Sequence, residues 1–582
     1  MTQPPPPPQQ PPNQPPQPPQ GGFGAPQQPP YGQQPPPQPG YGYPQQPPAP
    51  QQPYGQPPQQ PQPGYGYPQQ QPPYGYPPQQ GYDFPQQPVT PPPTPTGGSG
   101  GNQTRIVIAA VVAVALIVGG GLWYMSAQDS GNKGGKEQNQ SQGGTTGGGK
   151  SGGGTGGNKG LGGGGSEKVP SSTAAKLSFQ VPAPPIDLVT AVDGSWATDK
   201  YYVKSGVNQV VAYDPATGTP AWTIKLPGPV CAASSHISPD GRTAIAFQPA
   251  QPTAAKNFWG CSQVAAVDLN AGKLLWRKQL DDPEQKGKQI SFDEITVGPG
   301  VVATGGVHGG AAFDLATGAP RWTPKANSDN CEDRGYAGGE ALVAVRSCGD
   351  YDSPQLTIQP LDPVTGKAQS SYALPRGVQY AHVVSTKPLV VAADVGDTAG
   401  DGSGISDYFS IDAKTGKQRA RIAAQAAKYG GRCSSTEVEV CTNIVVGNDR
   451  LYLPTEEHDR SNEILSFDLA TGKPTSDNSP SGEGYTVVPL RMDGGNLIAY
   501  KVPPYDKGGQ VVSIDGGSFK ETLLMENPAD KAIRDVETAF SQERAEYRFR
   551  NGHLFISSIN LTQSENRLEG SKYLVAVGFG TN

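Results

Sequence analysis

The sequence predicts an all-β protein whose folded part is a β-propeller of about eight blades, with seven as the alternative. Three observations predict it. A turn built on Asp and Gly recurs about every 50 residues through the last four hundred residues. The segments between the copies are short and alternate apolar with polar residues, as strands do. The last unit lacks a strand that a segment near residue 176 can supply.

The chain falls into four parts. Its 582 residues hold 78 Gly and 65 Pro with only 16% charged side chains, and 38 of the Pro lie within residues 1–100. Such an excess without a Gly-X-Y period excludes collagen and marks low-complexity segments joined to something folded. Residues 1–104 are Pro, Gln, Gly and Tyr with almost no aliphatic side chains, so no core can offset chain entropy there. This part reads as a disordered tail, either a solvated spacer or a polyproline-type docking segment. Ile106 to Met125 then gives 20 uncharged, mostly apolar residues, flanked by Arg105 on one side and closed by Trp123, Tyr124 and Met125. That length crosses a bilayer as a helix, so residues 105–125 are expected to span the membrane. Residues 126–172 are a Gly-rich linker, a flexible tether of roughly 35 Å r.m.s. reach. No strand or P-loop spacing accompanies its glycines, so it is not a phosphate cradle.

Residues 173–582 carry the repeat. Asp214 leads through Thr217 to Gly218 and Trp222; Asp268 leads to Gly272 and Trp276; Asp314 leads through Thr317 and Gly318 to Trp322. The turn recurs at Asp362 with Gly366, Asp412 with Gly416 and Asp468 with Gly472, and a degraded copy sits at Asp515-Gly516. In each copy an apolar strand ends at Asp, whose carboxylate can accept the turn's amide hydrogens. Gly supplies a positive φ, and Trp opens the next strand as a wedge between blades. Leu554–Ser557 and Tyr573–Val577 look like strands of an eighth unit, and Lys176–Pro182 resembles the strand that would close it.

The Asp-x-x-Thr-Gly-x-x-x-Trp copies resemble the repeats of the PQQ-like β-propeller family. That family includes quinoprotein dehydrogenases and a non-enzymatic propeller lipoprotein of outer-membrane assembly, so the resemblance implies the fold and leaves the activity open. In the quinoprotein enzymes adjacent cysteines and a Trp sandwich the cofactor beside calcium, and no Cys-Cys dipeptide exists here. The tail and single span resemble, by composition, membrane proteins of high-GC Gram-positive bacteria.

Six cysteines, Cys231, Cys261, Cys331, Cys348, Cys433 and Cys441, all lie in the propeller, two in each of three units. Three local disulfides are the favoured reading, with zinc ligation or free thiols as alternatives. Disulfides persist in oxidising compartments, which sets the expected topology: tail in the cytoplasm, propeller outside. His236, His308, His382, His458 and His553 fall in different units without metal-ligand spacing. Asp394, Asp397, Asp401 and Asp407 share a Gly-rich stretch that reads as a solvated acidic loop, with calcium as the alternative.

Net charge is −6, and the residues after 166 carry −8 without basic clusters, which argues against nucleic acid as a partner. No catalytic, cofactor-binding or metal residue is assigned, and no cofactor is expected. The function read from the sequence is a non-catalytic binding or scaffold module at the cell envelope. Its partner would be a protein, glycan or small ligand at the propeller. Two alternatives stay open: a transmembrane relay whose Pro-rich tail recruits a cytosolic partner, and a quinone-dependent dehydrogenase.

Overall fold

Eight four-stranded antiparallel sheets succeed one another along the chain, and in seven of them the strands pair in strict sequence order. A computed structural model describes residues 164–581, apart from residues 284, 325–329, 351–352, 397–403 and 568–571. The expected tail, membrane helix and most of the linker lie outside the described residues, as do Asp397 and Asp401. Among the described residues no helix is long and apolar enough to cross a membrane.

The first strand of each sheet is the inner one. These strands are Ser195–Ala197, Val230–Ala233, Glu294–Gly298, Cys331–Ala337, Ala381–Thr386, Val445–Gly447, Thr486–Asp493 and Ala545–Arg550, and they neighbour one another around an axis. The eighth sheet closes the ring. His553–Ser558 and Leu574–Gly580 follow its inner strand, and Lys176–Pro182 pairs with Leu574–Gly580 as the fourth strand. The blade count is therefore eight, and the start of the domain completes its end, which removes a free sheet edge.

Middle strands such as Val264–Val267 and Leu389–Ala393 are buried on both faces, because each blade packs against a neighbour on either side. Their sequences accordingly read as unbroken apolar runs. Outer strands such as Lys417–Ala423 face solvent on one side and alternate instead. The core is a set of seams between neighbouring blades. Trp276 and Val264 of the second blade meet Phe313 and Ile295 of the third, and Phe555 of the eighth meets Tyr202 of the first.

The recurring turns form a rim. In each Asp-x-x-Thr copy the Asp Oδ1 accepts two backbone N–H groups and the Thr hydroxyl; at Asp314 these distances are 3.0, 2.9 and 2.9 Å. Asp214, Asp362, Asp412 and Asp468 repeat the pattern, and Asp268 keeps its two amide bonds without a hydroxyl. Gly318 has φ +69°, and a Cβ there would stand 2.6 Å from the Trp276 ring of the preceding blade. Trp222 packs against Gly272 and Trp322 against Gly366 in the same way. Phe179, on the closing strand, takes this place against Gly218. The degraded seventh copy keeps the geometry with different residues. Asp515 accepts Gly517 N, Ser518 N and Ser518 Oγ, and Phe519 stands in the glycine's place with φ 56°.

Candidate functional site

An up-and-down blade sends its first and third connections to one face of the ring. The Asp turns are third connections, so that face is called the turn face. Second connections and the links between blades leave by the opposite, loop face.

All three disulfides form within the expected pairs: Cys231–Cys261, Cys331–Cys348 and Cys433–Cys441. The first two tie neighbouring parts of one blade. The third lies in the link between the fifth and sixth blades, where Arg432–Cys433 pairs with Cys441–Thr442. The residues between them, 434–440, cross the channel rather than the surface. Val438 N donates to Glu294 Oε2 at 2.7 Å, and Val383 N donates to Val438 O at 2.8 Å. Glu439 Oε1 accepts Gly338 N at 2.9 Å and pairs with His236 Nε2 at 2.6 Å. His382 Nδ1 lies 2.8 Å from Glu437 O. One loop is thus bonded to the inner strands or first turns of four blades. It plugs the channel from the loop face.

Toward the turn face the channel remains open as a cavity of about 570 Å³. Ala197, His236, Glu340, Lys387, Arg491 and Arg550 are among its lining, with Glu439 and Cys441 contributed by the plug and its base. The charged side chains of the wall are held by partners. Arg550 binds Asp199, Arg548 Nε donates to Ser195 O at 3.0 Å, Arg491 binds Glu167 at 2.5 Å, and Lys387 binds Glu340 at 3.3 Å. Glu167 belongs to the entering chain, whose Ser166 and Glu167 amides donate to Asp493. The chain therefore joins the propeller beside the open mouth.

Electrostatics differ along the axis. At the plug, burial disfavours a charge on His236, but attraction to Glu439 and their hydrogen bond outweigh it and hold the imidazole above its ordinary value. Burial alone would raise Glu439; the His236 charge and several hydrogen bonds bring its carboxyl below the usual range. Glu294 is pushed well up by burial, with Glu439 and Glu437 adding to the shift. Nearer the eighth blade, Lys204 is 1% exposed and its Nζ donates to Val192 O and Glu546 Oε2, both at 2.6 Å. Asp193 beside them is pushed up to about 7, first by burial and then by Glu546. These groups put buried charges of both signs beside the channel rather than on the wall of its open cavity.

The sequence-assigned residues sort cleanly. The rim residues Asp214 to Gly472 sit at the outer edge of the turn face and serve the blades. Asp407 is buried in a strand and bound by Arg421 at 2.6 Å, which separates it from any loop-borne calcium set. His382 lies near Cys433 and Cys441, while His236 enters the plug. Sequence reasoning passed over Glu294, Glu439, Lys204 and Glu546, whose partners lie far away along the chain; Glu439 is 203 residues from His236. The bridge around residues 434–440 was the one signal that could have drawn attention to the loop.

A family profile described as outer membrane protein assembly factor BamB matches residues 168–257 and 260–515. The chain belongs to this BamB family. A search of curated protein sequences found no match. Among solved structures, BamB from Moraxella catarrhalis is 12% identical, covering 68% of this chain and 98% of its own at a TM-score of 0.34. Dihydro-heme d1 dehydrogenase NirN in complex with DHE is 13% identical, with 63% and 78% covered and a TM-score of 0.36. The Cps50 (Swd1) β-propeller domain of Myceliophteria thermophila is 10% identical, with 56% and 95% covered and a TM-score of 0.33. The function of this BamB-family chain is argued from its own channel.

Proposed function

We propose that this BamB-family propeller is a non-catalytic binding module of the cell envelope, held to the membrane by residues 105–125 with the propeller outside the cytoplasm. The observation that carries the reading is the one-ended channel. It is open at the turn face and lined by groups whose charges are already engaged with structural partners. A volume of about 570 Å³ lies within the usual range for small ligands, roughly 300–1,000 Å³. Arginines and glutamates on opposite walls suit a polar ligand or a short peptide segment. Three bridges favour an oxidising compartment for the domain.

The test is a thermal-shift series on the full chain with envelope glycan fragments and short peptides, repeated on Ala197→Trp, which fills the mouth. A ligand at 100 times its Kd raises stability by about 2.7 kcal/mol. The expected result is a shift in the native chain that Ala197→Trp abolishes. A shift that survives the filled mouth, or chemical turnover of the ligand, contradicts the proposal.

A further inference from the structure

The plug's clasp has a neighbour that the other two bridges lack. His382, Cys433 and Cys441 place one ligand atom each within 4.8 Å of one another, and among the described residues this is the one such group. Both sulfurs are joined in the bridge, so in this state neither can bind a cation. We propose that the Cys433–Cys441 bridge and His382 form a redox-exchangeable site that, once the bridge is reduced, takes a thiophilic divalent cation of the zinc class.

The geometry suits that chemistry. A tetrahedral zinc site has metal–sulfur bonds of about 2.3 Å and metal–nitrogen bonds of about 2.0 Å, which puts ligand atoms roughly 3.5–4 Å apart. Three donors already gathered within 4.8 Å need only small side-chain movements to reach it. His382 is 3% exposed, and its Nδ1 faces the Glu437 carbonyl. Since a carbonyl only accepts, the proton sits on Nδ1 and the free lone pair on Nε2. Backbone orientation of a ligand histidine is the usual outer support of a metal site.

Access runs through the cavity. Cys441 lines it and is part-exposed, whereas Cys433 is buried at 4%. A dithiol reductant would attack Cys441 Sγ as its thiolate, releasing Cys433 as a thiolate and forming a mixed disulfide. The reductant's second thiol then displaces Cys441, so the dithiol is oxidised to a disulfide and two electrons enter the protein pair. Cation binding releases the protons that remain on the two sulfurs. The open fourth position would face the cavity. Bridge and cation exclude each other, so the plug is clasped covalently in one state and by metal in the other. This inference does not depend on what the channel binds.

The experiment uses the full chain reduced with a phosphine and titrated with Co²⁺, whose tetrahedral thiolate complexes absorb in the visible and near ultraviolet. The expected result is one equivalent of such a spectrum, absent in the oxidised chain and displaced by Zn²⁺. His382→Ala should weaken binding by about tenfold or more, and Cys433→Ser with Cys441→Ser should abolish it. Cys331→Ser with Cys348→Ser should leave it unchanged, and circular dichroism confirms that each variant remains folded. No thiolate–cobalt spectrum in the reduced, folded chain overturns the site. So does a spectrum that is indifferent to His382→Ala, or one that follows Cys331 and Cys348 instead.

Discussion

The rim and the channel of this propeller are built by opposite means. At the rim each Asp speaks to residues two and three places ahead, in water, and the same solution recurs in blade after blade. In the channel, Glu439, Glu294, Lys204 and Glu546 each have partners on a different blade, mostly buried, and none of these arrangements repeats. Local, repeated interactions specify blades; singular long-range ones specify what the ring encloses. Variants that strike one region or the other can break or sharpen this contrast.

The largest effect is expected at the buried pair beside the channel. Lys204→Ala leaves the buried Glu546 carboxylate with only the longer Arg548 contact at 3.4 Å, a loss of about 3 kcal/mol by the usual behaviour of broken buried pairs. Chemical denaturation reads it directly. A loss below about 1 kcal/mol would place the pair among surface ion pairs and erase the contrast.

At the rim the cost is steric. Gly318→Val forces a branched residue toward φ +69° and drives Cβ against the Trp276 ring, for about 2–4 kcal/mol from the left-handed strain and the overpacking together. Gly300 provides the matched control. It has φ +68°, but a Cβ there meets only an Arg321 nitrogen at 3.8 Å. Gly300→Ala should therefore cost the backbone strain alone, about 1–2 kcal/mol, and Gly318→Ala measurably more. Equal losses in thermal unfolding would show that the Trp wedge adds nothing.

The smallest effects separate the regions by pH. At the rim, Arg321 first, with the turn's own hydrogen bonds, holds the Asp314 carboxyl down at about 2 from an ordinary 3.8. Its folded value is depressed, so its stabilisation is complete above the ordinary value and disappears as pH falls from about 4 to 2. The difference in melting temperature between the native chain and Asp314→Asn should shrink over that interval. The plug behaves differently. Raised His236 contributes fully below its ordinary 6.5 and loses its contribution as pH rises through its folded value. Lowered Glu439 contributes above its ordinary 4.5 and fades as pH falls. Glu294 and Glu437 also face this pair. Protection of the amides of residues 434–440, taken relative to their intrinsic exchange rates at each pH, should therefore be greatest between about pH 4.5 and 6.5, and His236→Ala should remove the upper limb. A flat profile in the native chain would separate the latch from the plug's order.

The same contrast explains what the sequence could tell. Blade number, the turn residues, the closing strand and the pairing of the cysteines were legible, because each rests on a periodic or nearby pattern. Even so, the seventh turn was legible only as a degraded copy at Asp515-Gly516, since Phe519, a bulky residue at positive φ, breaks the Gly rule that the other copies obey. Phe179 concealed its wedge role because its blade is assembled from both ends of the domain. The plug was illegible for a deeper reason. Glu437-Val438-Glu439 reads as an ordinary solvated loop, and only the fold brings it against Glu294, Gly338 and His236. A repeat reveals the residues that build every blade alike and is silent on those that act once.

The loop that plugs one end of the propeller channel is held by a covalent clasp, and the proposed function sets that clasp in an oxidising compartment. Peptide mapping under non-reducing conditions, on protein whose thiols are blocked at the moment of cell lysis, tests it most directly. The account predicts the bridges Cys231–Cys261, Cys331–Cys348 and Cys433–Cys441 and no others. Blocked thiols at all six positions, or bridges exchanged between blades, would contradict it.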